Sequence, residues 1–314
     1  MIRFRFVADP AESIAFSYSP LLEAVLSLHV VSEPKHHPLQ HPWVRRARSL
    51  PAPLRRRIAA FRFAYDGFVP EFLMPSPGTL YGGFEEEVRE LEGLDDATLA
   101  LGFLRPLWDH RGERDEGLLE DEGVRQYVLR RAGQLGGDAA LARLIFDAPR
   151  ELATRFAALL DEYWTAAFAE EWDALEPRLA ETVADAGRLL AGDGVYSYLT
   201  GLSPQLLIDP RGGEIRRDLP HEHTVEVGPK AELVLVPSAF VWPHVRVNCD
   251  RPWPPAIVYP AQTPASARPS GARAGSSRWL LRALQPPPRP HRHALRRRAR
   301  FSHRALAGDG VRTS

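Results

Sequence analysis

Apolar and polar positions alternate along Ile2-Arg-Phe-Arg-Phe-Val7, the period of two that marks a half-buried strand. The period then lengthens. Ser19-Pro20 opens a helix over 20–31, with proline at the first turn, where no backbone donor is needed. Leu21, Leu22, Val25, Leu26 and Leu28 give that helix a broad buried face with His29 at its border. Prolines 34, 38 and 42 break the next segment into a loop, and a further helix is predicted over 53–65, with Ile58, Phe61 and Phe63 to bury. Three prolines and three glycines make 68–83 an irregular, well-packed connection.

Helical spacing dominates from Phe84 to Leu190. Glu85-Glu-Glu87 favour the positive end of a helix dipole, and Asp95-Asp96 precede a helix in which Leu99, Phe103 and Leu107 repeat. Helices over 120–135 and 138–146 follow. Leu152, Phe156, Leu159, Leu160, Tyr163 and Trp164 mark a long helix over 150–172, and Pro177 is expected to kink or restart it so that 178–190 completes a long antiparallel pair. After Gly201 the period returns to two. Short strands are predicted at 214–217, 224–227, 232–237, 244–248 and 256–259, separated by glycine and proline turns, as in one small antiparallel sheet. The fold class is therefore α+β, mainly α, with a helix-rich body over 1–260.

Composition adds an asymmetry that the neutral total conceals. Residues 1–260 hold 28 basic and 39 acidic side chains, whereas 261–314 hold 12 arginines and a single acid, Asp309. Residues 261–278 read as an Ala/Ser/Arg/Pro/Gly linker. Six arginines from Arg289 to Arg300 would bind phosphates without sequence preference; a tail with no selected role fits the same composition. No apolar run approaches the ~18 residues of a membrane span, and Met1-Ile-Arg-Phe-Arg-Phe has no apolar signal core, so a cytoplasmic location is expected. The single cysteine, Cys249, excludes an internal disulfide and reads as a small buried hydrophobe at a strand end.

Catalytic chemistry finds no foothold. Gly-x-Ser-x-Gly, phosphate-cradling glycine spacings and His-Glu-x-x-His are all absent. His36, His37 and His41, and the pair His221 and His223, could ligate a metal, but neither cluster offers a full set of ligands, and hydrogen-bonding or surface roles account for them better. The carboxylates of 85–92 and 109–122 read as solvated helix faces, and Phe156, Tyr163, Trp164, Phe168 and Trp172 as core or the wall of a ligand pocket. No enzyme activity and no cofactor are expected.

Several strings resemble one family: Met1-Ile-Arg-Phe-Arg-Phe, Ser19-Pro-Leu-Leu-Glu23, His41-Pro-Trp-Val-Arg-Arg46, Leu235-Val-Pro-Ser-Ala-Phe-Val-Trp-Pro-His-Val-Arg-Val247 and Ile257-Val-Tyr-Pro260. They are similar to ArsR-like winged-helix transcriptional regulators with a large N-terminal domain of unassigned function. The resemblance implies a sensing or dimerising body, an unknown effector, a homodimer, and a C-terminal winged helix-turn-helix that reads double-stranded DNA. It makes 279–314 the remnant of that reader, with Arg300, Ser302, His303 and Arg304 near base edges or phosphates. Pro286, Pro287, Pro288 and Pro290 break the two intervening helices, and no wing strands follow, so a degraded winged helix or a disordered basic tail is expected. A body that binds a small molecule or a partner without specific DNA recognition is the alternative.

Overall fold

A computed structural model describes residues 1–75, 81–108, 116–219, 222–229, 232–249 and 253–261. The protein is α+β and mainly helical, with two small mixed sheets. Two short strands come first, β1 (Ile2–Phe6) and β2 (Ile14–Phe16). They are followed by α1 (Pro20–Ser32), which starts at Ser19, whose hydroxyl oxygen accepts the Leu22 N–H at 2.9 Å. One buried face was expected; instead the helix is enclosed on every side. Leu22, Val25, Leu26 and Val30 have no exposed surface, and Glu23, Ser27 and His29 are buried with them. A helix buried all round forms the axis of the core.

The helices that follow are α2 (His41–Arg48), α3 (Ala52–Ala60), α4 (Phe84–Gly93), α5 (Asp96–Leu104), α6 (Glu122–Gln134), α7 (Ala139–Asp147) and α8 (Pro149–Tyr163). α3 is shorter than the helix predicted over 53–65; a 3-10 turn at Arg62–Ala64 follows it. Asp95, Asp121 and Asp138 cap α5, α6 and α7 by accepting first-turn N–H groups. α2, α4 and α8 pack on α1.

The expected antiparallel pair does not form. α8 runs through a π-helical stretch, Trp164–Phe168, into α9 (Ala169–Asp193) without reversing. Pro177 lies inside α9 and removes one N–H from its ladder, a loss that a helix of this length absorbs without breaking. The π-turn has a packing cause. Widening the turn brings residues five apart onto one face, so that Tyr163 and Phe168 stack at 6.0 Å and both meet Trp43 edge-on.

α10 (Val195–Leu202) leads into β3 (Leu206–Asp209), β4 (Glu214–Arg217), β5 (His223–Val227), β6 (Leu233–Ser238), β7 (Arg246–Asn248) and β8 (Ala256–Pro260). The predicted strands are strands, but they do not form one antiparallel sheet. Four strands pair in the order β3-β4-β1-β5 and four in the order β2-β6-β8-β7. β1 lies antiparallel to β4 and parallel to β5; β6 lies parallel to both β2 and β8. Period-two alternation reports local conformation and not the partner, so it does not reveal that the N-terminal strands complete both sheets. β6 does carry a signal, since all six of its residues are buried, the property of a central strand covered on both faces. One core cluster extends from Ile2 to Tyr259. Among the described residues no helix is long and apolar enough to cross a membrane.

Candidate ligand cavity

The N-terminus of α1 faces α4, and a cavity of about 440 Å³ opens beside their contact. Its apolar wall comes from Phe72, Leu73 and Met74, at and just after a 3-10 turn, from Leu91 and Leu94 at the end of α4, and from Trp253 ahead of β8. Two carboxyl groups, of Glu87 and Glu90, and the Ser19 hydroxyl are polar features of its lining, and among the described residues no basic side chain borders it.

Glu87 is held by the start of α1. Its Oε2 accepts the Ser19 hydroxyl at 2.8 Å and the Leu21 N–H at 2.9 Å, while Ser19 in turn accepts from Leu22. The second of these bonds satisfies a helix N-terminal donor that has no partner within its own helix. Helix position and hydrogen bonds both favour a carboxylate here. Burial outweighs them: it pushes the Glu87 carboxyl up to about 8, with Glu90 and Glu86 adding repulsion. The cavity wall therefore carries a carboxylic acid that keeps its proton at neutral pH, close to further negative charge.

Phe72 depends on a glycine. A Cβ at Gly102 of α5 would lie 2.3 Å from Phe72 Cδ1, so only glycine lets the ring settle there, edge-on to Phe103 at 5.0 Å.

Further polar groups lie outside the cavity, where Glu23, His29 and His37 are buried and His244 is exposed. Glu23 of α1 accepts the Ala239 N–H at 3.0 Å, in the turn that Ser238 organises by accepting from Phe240 and Val241. Burial pushes Glu23 up to about 7 against these bonds. His29, His37 and His244 form a row, with ring centroids 5.3 and 5.9 Å apart, and His37 Nδ1 lies 2.7 Å from the Trp242 carbonyl oxygen. Burial first, and then Arg246 and the neighbouring imidazoles, depress His29 to about 3. Among the described residues no group of three or more His, Cys, Asp or Glu has the geometry of a metal site.

The aromatic residues considered as a pocket wall belong to the core. Phe156, Tyr163 and Phe168 are fully buried, and none of Phe156, Tyr163, Trp164, Phe168 or Trp172 borders the cavity. Cys249 is half-buried at the end of β7, less enclosed than expected. His221, the linker 262–278 and the remnant 279–314, with Arg300, Ser302, His303 and Arg304, lie outside the described residues. Residues 3–265 match a family of unknown function, DUF5937. No curated protein and no solved structure matches the chain.

Proposed function

Starting from the chain's membership of the DUF5937 family, whose function is unknown, we propose that it is a cytoplasmic transcriptional regulator whose helical body senses a small apolar amine. The cavity beside Glu87 is the observation that carries the sensing role. Its walls are apolar, its volume suits a small organic molecule, and its polar groups include two carboxyl groups and, among the described residues, no cation. Ligands with a carboxylate or phosphate would find no cation among the described lining residues. A ligand ammonium replaces the proton on Glu87, and the aromatic side chain of Trp253 lines the same cavity.

The regulatory role rests on the resemblance of 1–260 to ArsR-like regulators. Under this reading double-stranded DNA is met by residues beyond 260, with Arg300, Ser302, His303 and Arg304 closest to it, and the body forms a homodimer so that two readers face a palindrome. The alternative, a small-molecule binder without specific DNA recognition, is favoured by the four prolines between 286 and 290 and shares the same cavity.

A thermal-shift series tests the sensing role. Apolar primary amines should raise the melting temperature more than alcohols or carboxylates of the same skeleton, and Leu94→Trp, which fills the cavity, should abolish the difference. Equal shifts for amines and carboxylates would overturn it. A gel-shift titration at two salt concentrations tests DNA reading: the present chain should bind weakly, with steep salt dependence and no sequence preference, and tight binding to one sequence that survives high salt would show an intact reader.

A further inference from the structure

Between Pro34 and Tyr65 the chain has seven arginines, one lysine and no acid, within a body that is acidic as a whole. This stretch contains α2 and α3. Both bury one face: Trp43, Val44 and Ala47 from α2, Leu54 and Ile58 from α3. The other face points outward and carries the arginines. Two of these are anchors, since Arg46 pairs with Glu170 and Arg57 with Glu162, tying the corner to the long helix α8–α9. Arg45, Arg48, Arg55 and Arg56 are exposed and have no ion-pair partner among the described residues.

Several other arginines of the body do meet carboxylates, as in Arg3–Glu222, Arg125–Asp147 and Arg150–Asp96. Where arginines and acids are interspersed, exposed pairing is cheap and common. Four exposed guanidinium groups without ion-pair partners, carried on two consecutive helices, repel one another; salt screens that repulsion in part, and a polyanion relieves it further. No large apolar side chain is exposed between His41 and Ala60. Leu39, just ahead of α2, is the one large apolar side chain of the stretch that is exposed, and a lone leucine is a poor anchor for a protein interface. Phosphates need none, because a guanidinium binds them through two parallel hydrogen bonds.

We infer that the α2–α3 corner is a contact surface for the phosphate backbone of double-helical nucleic acid, formed by Arg45, Arg48, Arg55 and Arg56. It positions a duplex against the body without reading sequence. It goes beyond the amine-sensing reading and stands without it, since no cavity residue takes part.

The test is fluorescence-anisotropy titration of the full chain with a labelled DNA duplex between 50 and 200 mM salt. Each lost phosphate contact lowers the slope of log K against log salt by about 0.9, so R45Q/R48Q/R55Q/R56Q should flatten it by about 3–4. Over that fourfold salt range the variant should lose roughly a hundredfold less affinity than the parent. R296Q/R297Q/R298Q/R300Q separates out the basic tail. Circular dichroism confirms folding; should the quadruple variant unfold, R55Q/R56Q decides, with an expected flattening of about 2. An unchanged slope in the folded α2–α3 variant would overturn the inference, as would a loss confined to the tail variant. Displacement of the duplex by polyglutamate at equal charge would reassign the corner to an acidic protein.

Discussion

Replacing Glu87 by glutamine should stabilise the protein at neutral pH, although it removes a hydrogen-bonded carboxyl from the cavity wall. In the unfolded chain Glu87 ionises near 4.5; folded, it holds its proton up to about 8. Between those values the native state binds the additional proton, so stability is full below 4.5 and falls as pH rises towards 8. At pH 7 the ceiling on that cost is about 3.4 kcal/mol, from 1.36 kcal/mol per pKa unit. Glu87 keeps some solvent exposure, which screens part of it and leaves about 2 kcal/mol. Glutamine takes up no proton, and its carbonyl oxygen can accept from Ser19 and Leu21 as Oε2 does. Urea unfolding followed by circular dichroism should therefore show E87Q about 2 kcal/mol more stable at pH 7, the gain shrinking to near zero at pH 5 and growing towards pH 8.5. A variant less stable than the parent at pH 7, or one with the parent's pH slope, would show that Glu87 is ionised in the native protein.

Other perturbations act on separate elements. His29 shifts in the opposite sense: the unfolded group binds a proton near 6.5 and the folded one only near 3, so stability is intact above 6.5 and falls with acidification. By pH 5 the loss should be about 2 kcal/mol, and His29→Gln should remove that component of the slope, as denaturant midpoints at pH 7 and 5 will show. Gly102→Ala pushes Phe72 out of its place, and the strain should exceed the ~1 kcal/mol that alanine gains in a helix, for a net loss of about 1–2 kcal/mol. A rise in denaturant midpoint would show that the Phe72 ring moves freely. Truncating Phe4, which is fully buried where β1 joins β4 and β5, should cost about 3–5 kcal/mol by equilibrium unfolding; a loss under 1 kcal/mol would mean that β1 is dispensable to its sheet.

Local chemistry made most of the fold legible. Ser19, Asp95, Asp121 and Asp138 each sit where a cap is required, and the strands after Gly201 follow their alternation. Long-range partners were not legible, because nothing in Ile2–Phe6 encodes that it pairs with His223–Val227. The cavity shows the same divide. Glu85, Glu86 and Glu87 form one acidic run, and the first two are exposed as a solvated face should be. Glu87 differs because it lies three residues after Phe84 and four before Leu91, the two residues of α4 that are buried. An acid in line with an apolar stripe was the available signal. Glu23 carried a similar one, as a lone charge between Leu22 and Ala24. Which carboxyl is buried, and how far its proton affinity moves, depends on tertiary contacts that spacing does not contain.

The sensing claim reduces to one exchange at one atom pair: a ligand ammonium takes the place of the proton on Glu87. Isothermal titration of an apolar primary amine at pH 7, repeated in buffers of different ionisation enthalpy, counts the protons released on binding. The parent protein should bind saturably with about one proton released per amine, and E87Q should release none. Binding without proton release by the parent, or the same release from E87Q, would contradict it.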